Sequence, residues 1–118
     1  MDGVLVVDKP TGVTSFDVVA KVRRALREKR VGHAGTLDPE ASGVLVICLG
    51  EATKLVPYLM AADKEYLATA RLGITTDTDD AAPGSRVLAE SSPAALLALS
   101  EAQIKQALST QVGVISQK

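Results

Sequence analysis

V-G-H-A-G-T-L-D-P-E-A-S-G-V-L-V-I-C, residues Val31 to Cys48, joins a glycine-punctuated loop to an unbroken apolar run. Val44 to Leu49 shows no polar alternation, which fits a central strand covered on both faces. The loop ahead of it holds the only histidine, His33, and an Asp-Pro turn, Asp38-Pro39. Gly32, Gly35 and Gly43 let the loop backbone take positive φ and let a large flat ligand come close. The strand holds the loop still and the loop presents side chains. Pro39 biases Asp38 towards extended geometry, so its carboxylate stands out of the turn. A carboxylate held that way serves as nucleophile, general base or plain turn former. Spacing alone favours the turn former, because Asp initiates turns before Pro as a matter of backbone chemistry.

Upstream, Gly3 to Val7 is short and β-branched and is closed by Asp8-Lys9-Pro10-Thr11-Gly12, which reads as a strand ending in a turn. Lys9 then reads as a solvated charge beside a turn proline. Thr14 or Ser15 caps a helix to about Glu28, with Asp17 three residues after Thr14 in the capping-box relation. Helical spacing gathers Val18, Val22, Ala25 and Leu26 on one side and Lys21, Arg23, Arg24 and Arg27 on the other. A cationic outer face is ordinarily solvation. This one leads directly into Lys29, Arg30 and the His33 loop, so contact with an RNA backbone stands beside that reading.

Downstream, Glu51 to about Met60 forms a short helix that Pro57 kinks or terminates. Lys64 to Leu72 alternates as a strand, with Tyr66 heading the apolar face. Periodicity alone makes Tyr66 a core aromatic with its hydroxyl at the rim. A crossover through the intervening helix would make this strand parallel to the central one and bring Tyr66 and the Asp38 loop to one sheet edge. Thr75 to Gly84 is a polar loop; the closing glutamate of a calcium-binding loop begun at Asp77 would fall on Leu88, which excludes that motif. Arg86 to Glu90 reads as a fourth strand, and Ser91 to Leu99 is ambiguous. Ser100 and Gln103 form a capping box for a helix through about Leu108. Val112 to Lys118 ends without a closing element.

A chain of 118 residues, 47% of them hydrophobic, makes one domain or part of one. No apolar run reaches the length of a membrane span, and Met1 to Pro10 lacks the blocks of a signal peptide, so a cytoplasmic protein is expected. Cys48 sits inside the apolar run as a core residue, and one Cys with one His argues against structural zinc. The net charge of −1 argues against a partner held mainly by phosphate contacts. Six of the thirteen Lys and Arg nevertheless fall between Lys21 and Arg30, a patch sufficient for RNA. A nucleotide-binding enzyme is disfavoured, because neither G-x-x-x-x-G-K-[ST] nor a strand-linked G-x-G-x-x-G occurs.

D-K-P-T-G-V-T-S at residues 8–15 and G-H-A-G-T-L-D-P-E-A-S-G-V-L at residues 32–45, followed by Asp63-Lys64-Glu65-Tyr66 and T-D-T-D-D at residues 76–80, resemble the motifs of the TruB family of pseudouridine synthases. The resemblance implies an α+β fold, a mixed and largely antiparallel sheet with flanking helices. It implies isomerisation of a uridine in the tRNA T-loop to pseudouridine, with Asp38 as catalytic nucleophile and Tyr66 packing on the target base and acting as a base. His33 would fill the gap left by the extruded base. Lys9-Pro10 would shape the cleft, and Lys9, Lys21, Arg23, Arg24, Arg27 and Arg30 would meet the RNA. The implied partner is a tRNA T-arm stem-loop, bound by a monomer that needs no cofactor, metal or membrane.

Family members are more than twice as long. Residues 1–118 would thus form a partial catalytic domain, without its C-terminal half, the Arg that pairs with the nucleophile, the RNA-gripping thumb and the PUA-type domain. The alternative is an RNA-binding or RNA-folding module, derived from such an enzyme, that does not modify its RNA.

Overall fold

The computed structural model describes residues 1–116, which form two compact units divided after Tyr66. The first contains β1 (Gly3–Lys9), α1 (Ser15–Leu26), β2 (Val31–Ala34), β3 (Gly43–Leu49), a 3-10 segment (Gly50–Leu55) and α2 (Val56–Met60). Its sheet runs β1-β3-β2 with both ladders antiparallel. The apolar run is the central strand as expected, but it is not covered on both faces along its length, since Val44 is 70% exposed. β1 pairs along its whole length, from Gly3↔Leu49 to Lys9↔Gly43, and β2 from Val31↔Leu49 to Ala34↔Val46.

Side chains alternate across a strand, so Leu45, Ile47 and Leu49 share one face. They form the core with Val18 and Val19 of α1 and Val31 of β2, and Val7, Val13, Val22 and Leu37 pack against it. Cys48, on the opposite face, is also buried.

α1 begins as its sequence dictates. Thr14 accepts from the Asp17 N–H while the Asp17 carboxylate accepts from the Thr14 N–H, the reciprocal capping box. It ends at Arg27, left-handed at φ 51°, whose N–H bonds the Arg23 carbonyl. Pro57, expected to kink or end a helix, instead opens α2: a proline in the first helical turn forfeits no intrahelical hydrogen bond. His33, expected on a loop, lies on β2. This short strand has weak intrinsic preference and exists because β3 supplies its ladder.

The second unit pairs β4 (Ile74–Thr76) with β5 (Val87–Glu90), antiparallel with an irregularity between Thr75 and Thr76. Two helices follow: α3 (Pro93–Leu97), capped by Ser92, and α4 (Glu101–Ser109), with the Ser100–Gln103 capping box in place. The class is α+β, with five strands among the described residues where four were expected, and every ladder among them is antiparallel.

The strand expected over Lys64 to Leu72 does not form. Residues 63–71 make no backbone–backbone hydrogen bond among the described residues, and alternation without a ladder partner leaves the peptide groups to solvent. The parallel crossover that would have set Tyr66 beside the Asp38 loop is therefore absent. The tail expectation, Val112 to Lys118, falls in part outside the described residues.

Candidate active site

Asp38 is exposed at the head of a β-turn, its carbonyl accepting from the Ala41 N–H at 3.0 Å with Pro39 in the second position. The turn-forming role thus describes the backbone, and leaves the carboxylate outside. Both neighbours of Asp38 are tied to residues 9–15, from the end of β1 to the start of α1. On the N-terminal side, the Ser15 hydroxyl accepts from the Leu37 N–H at 3.0 Å and donates to the Leu37 carbonyl at 3.1 Å. The Leu37 side chain also packs against the core. On the C-terminal side, the Pro39 carbonyl accepts from the Gly12 N–H at 2.8 Å and from Lys9 Nζ at 3.3 Å.

Lys9 corrects two expectations at once. It is 0% exposed, so it is neither a solvated charge nor a cation presented to RNA. Its ammonium donates to the carbonyls of Pro10 at 2.9 Å, Val13 at 2.7 Å and Pro39 at 3.3 Å. An ammonium has three N–H donors, and here each has an oxygen. Lys9 therefore ties the turn after β1 to the turn that carries Asp38.

His33 is half-buried on β2, with Nδ1 2.6 Å from the Gly35 carbonyl. A carbonyl only accepts, so Nδ1 is the donor in this contact. Gly35, at φ +104°, makes the turn that returns its carbonyl to the ring, and Lys64 Cε lies 3.6 Å from where a Cβ on Gly35 would stand. Lys64 Nζ donates to the Met60 carbonyl at 2.6 Å, so the segment leading to Tyr66 is anchored at the end of α2. Tyr66 itself is 65% exposed on unpaired chain, and no ladder brings it to Asp38.

The cationic face of α1 divides. Lys21, Arg24 and Arg27 are exposed, and Arg23, Arg24, Arg27 and Lys29 line one open depression. Arg23 also donates Nη2 to the Val31 carbonyl at 2.9 Å, joining α1 to β2. Arg30 is paired with Glu51, which also meets Lys54 at 2.5 Å; the Lys54 hydrogen bond first, and Arg30 second, hold the Glu51 carboxyl below the usual glutamate range. Two of the expected RNA cations are therefore partly committed within the protein.

The family model for the TruB family pseudouridylate synthase N-terminal domain matches residues 23–118. The chain belongs to this family. Among curated relatives, tRNA pseudouridine synthase B of Corynebacterium jeikeium is 48% identical over 116 residues, covering 98% of this chain and 37% of that protein. The protein of the same name from Ruegeria pomeroyi is 55% identical over 117 residues, 99% of this chain and 37% of its own. The chain thus spans little more than a third of the length of these TruB relatives. A solved structure, that of an H/ACA RNP bound to a substrate RNA containing 2′-deoxyuridine, is 48% identical over 48% of this chain and 18% of its own, with a TM-score of 0.46.

The TruB match starts at Arg23, so the Lys9 and Ser15 anchors lie outside it and within the reach of the longer alignments. Neither anchoring role was legible in sequence. Ser15 read as a possible helix cap, but Thr14 takes that position and Ser15 turns inward. The one signal was the adjacency of two hydroxyl residues at a helix start, of which only one can cap.

Proposed function

We propose that this chain is the nucleophile-bearing part of a tRNA pseudouridine synthase catalytic domain, isomerising a T-loop uridine with Asp38 as nucleophile. The observation that carries the reading is the double anchorage of Asp38: Leu37 is held by Ser15 and Pro39 by Gly12 and Lys9, while the carboxylate remains exposed. A plain turn former needs no such framework. Family membership and the name shared by the relatives give the reaction class.

The chemistry breaks the ribose C1′–N1 bond, turns the uracil and joins C1′ to C5. The hydrogen at C5 is lost and N1 gains one, so atoms balance with no cofactor. Asp38 supplies the covalent intermediate by attack on the uracil ring or on C1′. The target base is stacked within the RNA and must be extruded. His33, rigid on β2, fills the gap, and Tyr66 stacks on the uracil, a contact worth ~1–3 kcal/mol per base, and assists removal of the C5 hydrogen. Lys21, Arg24 and Arg27 contact the RNA backbone, with Arg23 and Arg30 contributing from their protein-bound positions. Tyr66 reaches that role by ordering of its segment on RNA, since it stands exposed without a ladder.

The test is tritium release from C5-labelled uridine in a T-arm RNA, with Asp38→Ala beside the parent. Release by the parent alone, with RNA affinity matched within about threefold, supports the nucleophile assignment. Release by Asp38→Ala near the parent rate sinks it. The exposed, unladdered Tyr66 favours a second reading, an RNA-binding module without turnover. RNA binding without release by the full-length protein, unchanged by Asp38→Asn, would establish that one.

A further inference from the structure

We propose that Ser15 is a positioning residue for the Asp38 carboxylate, acting through the backbone of Leu37; this rests on the reading of Asp38 as nucleophile. Ser15 is 3% exposed at the first position of α1. The usual reason for a serine there, capping the helix, is already met by Thr14. Its hydroxyl instead spends both functions on one residue, accepting the Leu37 N–H and donating to the Leu37 carbonyl. In a strand those two groups would be satisfied by a neighbouring strand, but residues 36–38 lie outside β2 and β3. One hydroxyl therefore does for Leu37 what a ladder does elsewhere.

The consequence passes directly to Asp38. With N–H, carbonyl and side chain of Leu37 all held, only the Asp38 φ and its two side-chain torsions separate the clamp from the carboxylate, and Pro39 keeps the Asp38 backbone out of the helical region. Gly12 and Lys9 hold the far side, at Pro39. Ser15 is the only side chain that hydrogen-bonds the residue preceding Asp38 among the described residues. Catalytic groups misplaced by about an ångström lose rate by as much as a hundredfold, so a clamp one residue from a nucleophile is a kinetic device as well as a structural one.

The experiment compares Ser15→Ala and Ser15→Thr with the parent in the full-length protein, below the melting temperature of each. Single-turnover tritium release gives the rate, filter binding gives RNA affinity, and amide hydrogen exchange reports Leu37. Ser15→Ala is expected to slow turnover about tenfold or more with RNA affinity kept within about twofold, and Ser15→Thr, which keeps the hydroxyl, to restore most of the loss. The Leu37 amide should exchange faster in Ser15→Ala while those of Ile47 and Leu49 do not. If Ser15→Ala fails to fold, Ser15→Cys keeps the volume, weakens both bonds and carries the same comparison. Turnover within twofold of the parent, or rate and affinity falling together without rescue by Thr, overturns the proposal. An unchanged Leu37 amide overturns it even where no turnover is measurable. Failure of the nucleophile reading shows separately, as an active Asp38→Ala.

Discussion

The two units satisfy their polar groups by opposite means. In the first, seven apolar side chains are buried and the bonds that shape the Asp38 turn reach across the chain, Ser15 to Leu37 and Lys9 to Pro39. In the second, none of the described residues is buried, and the loop between β4 and β5 bonds mostly to itself. Asp80 accepts from the hydroxyls of Thr78 at 2.6 Å and Ser85 at 3.1 Å and from the Ala82 N–H at 3.0 Å, and Asp77 accepts from the Arg86 N–H. Leu67, Leu97 and Leu108 stay exposed. Local bonds give a segment its shape, whereas burial and long-range bonds give it resistance to opening. Asp38, the proposed nucleophile, stands on the framework that has a core beneath it.

The comparison breaks most easily at the core. Ile47 is 0% exposed at the centre of β3, and Ile47→Ala should cost about 2–5 kcal/mol in urea denaturation. Leu97, 87% exposed in α3, should change stability by no more than about 0.5 kcal/mol when replaced by Ala. Comparable losses would show the second unit to be packed after all.

Next in size is Lys9→Met, which keeps most of the stem and leaves the Pro10, Val13 and Pro39 carbonyls without their shared donor. A loss of about 2–4 kcal/mol is expected by the same denaturation, since buried acceptors stripped of a partner forfeit their hydration too. A change under about 0.5 kcal/mol would mean that water replaces the ammonium and the anchor is dispensable.

Removing the caps sharpens the contrast at smaller scale. Thr14→Ala and Ser100→Ala each delete a capping box worth about 1 kcal/mol. The α1 cap adjoins the core and should register in cooperative unfolding, whereas the α4 cap should register mainly as lost helical circular dichroism. Equal effects on the cooperative transition would erase the distinction.

Acid gives the smallest effect. The Thr14 hydroxyl, then the Thr14 N–H, holds the Asp17 carboxyl below the usual aspartate value, and Thr78 first does the same for Asp80. A carboxyl depressed in the folded state adds stability that is present above the unfolded value, 3.8, and is lost as pH falls through the folded one. Melting temperature should therefore drop more between pH 5 and pH 3 in the parent than in Asp17→Asn. An identical slope would exclude the capping carboxylate as a contributor.

What could be read from sequence follows the same division between local and distant causes. β1 and β3 announce themselves as β-branched apolar runs, and α1 and α4 by their capping boxes, because those signals act within a few residues. Alternation places Tyr66 on a strand, and the absent ladder overrides the pattern. The glycine neighbours of His33 suggest a loop, and pairing with β3 overrides them. Among the candidate site residues, the turn at Asp38 is marked by its own Asp-Pro motif, but the burial of Lys9 and the inward turn of Ser15 depend on partners 30 and 22 residues away in sequence, which no local pattern encodes.

The anchorage of Asp38 also sets a schedule. Its bonds join residues 9–15 to residues 37–39, with a turn closing at Ala41, and the sheet beneath them is complete at Leu49. Chains fold from the N-terminus as they are synthesised. Residues 9–49 are therefore translated before any of the second unit, and the seat of the carboxylate takes its shape without waiting for it.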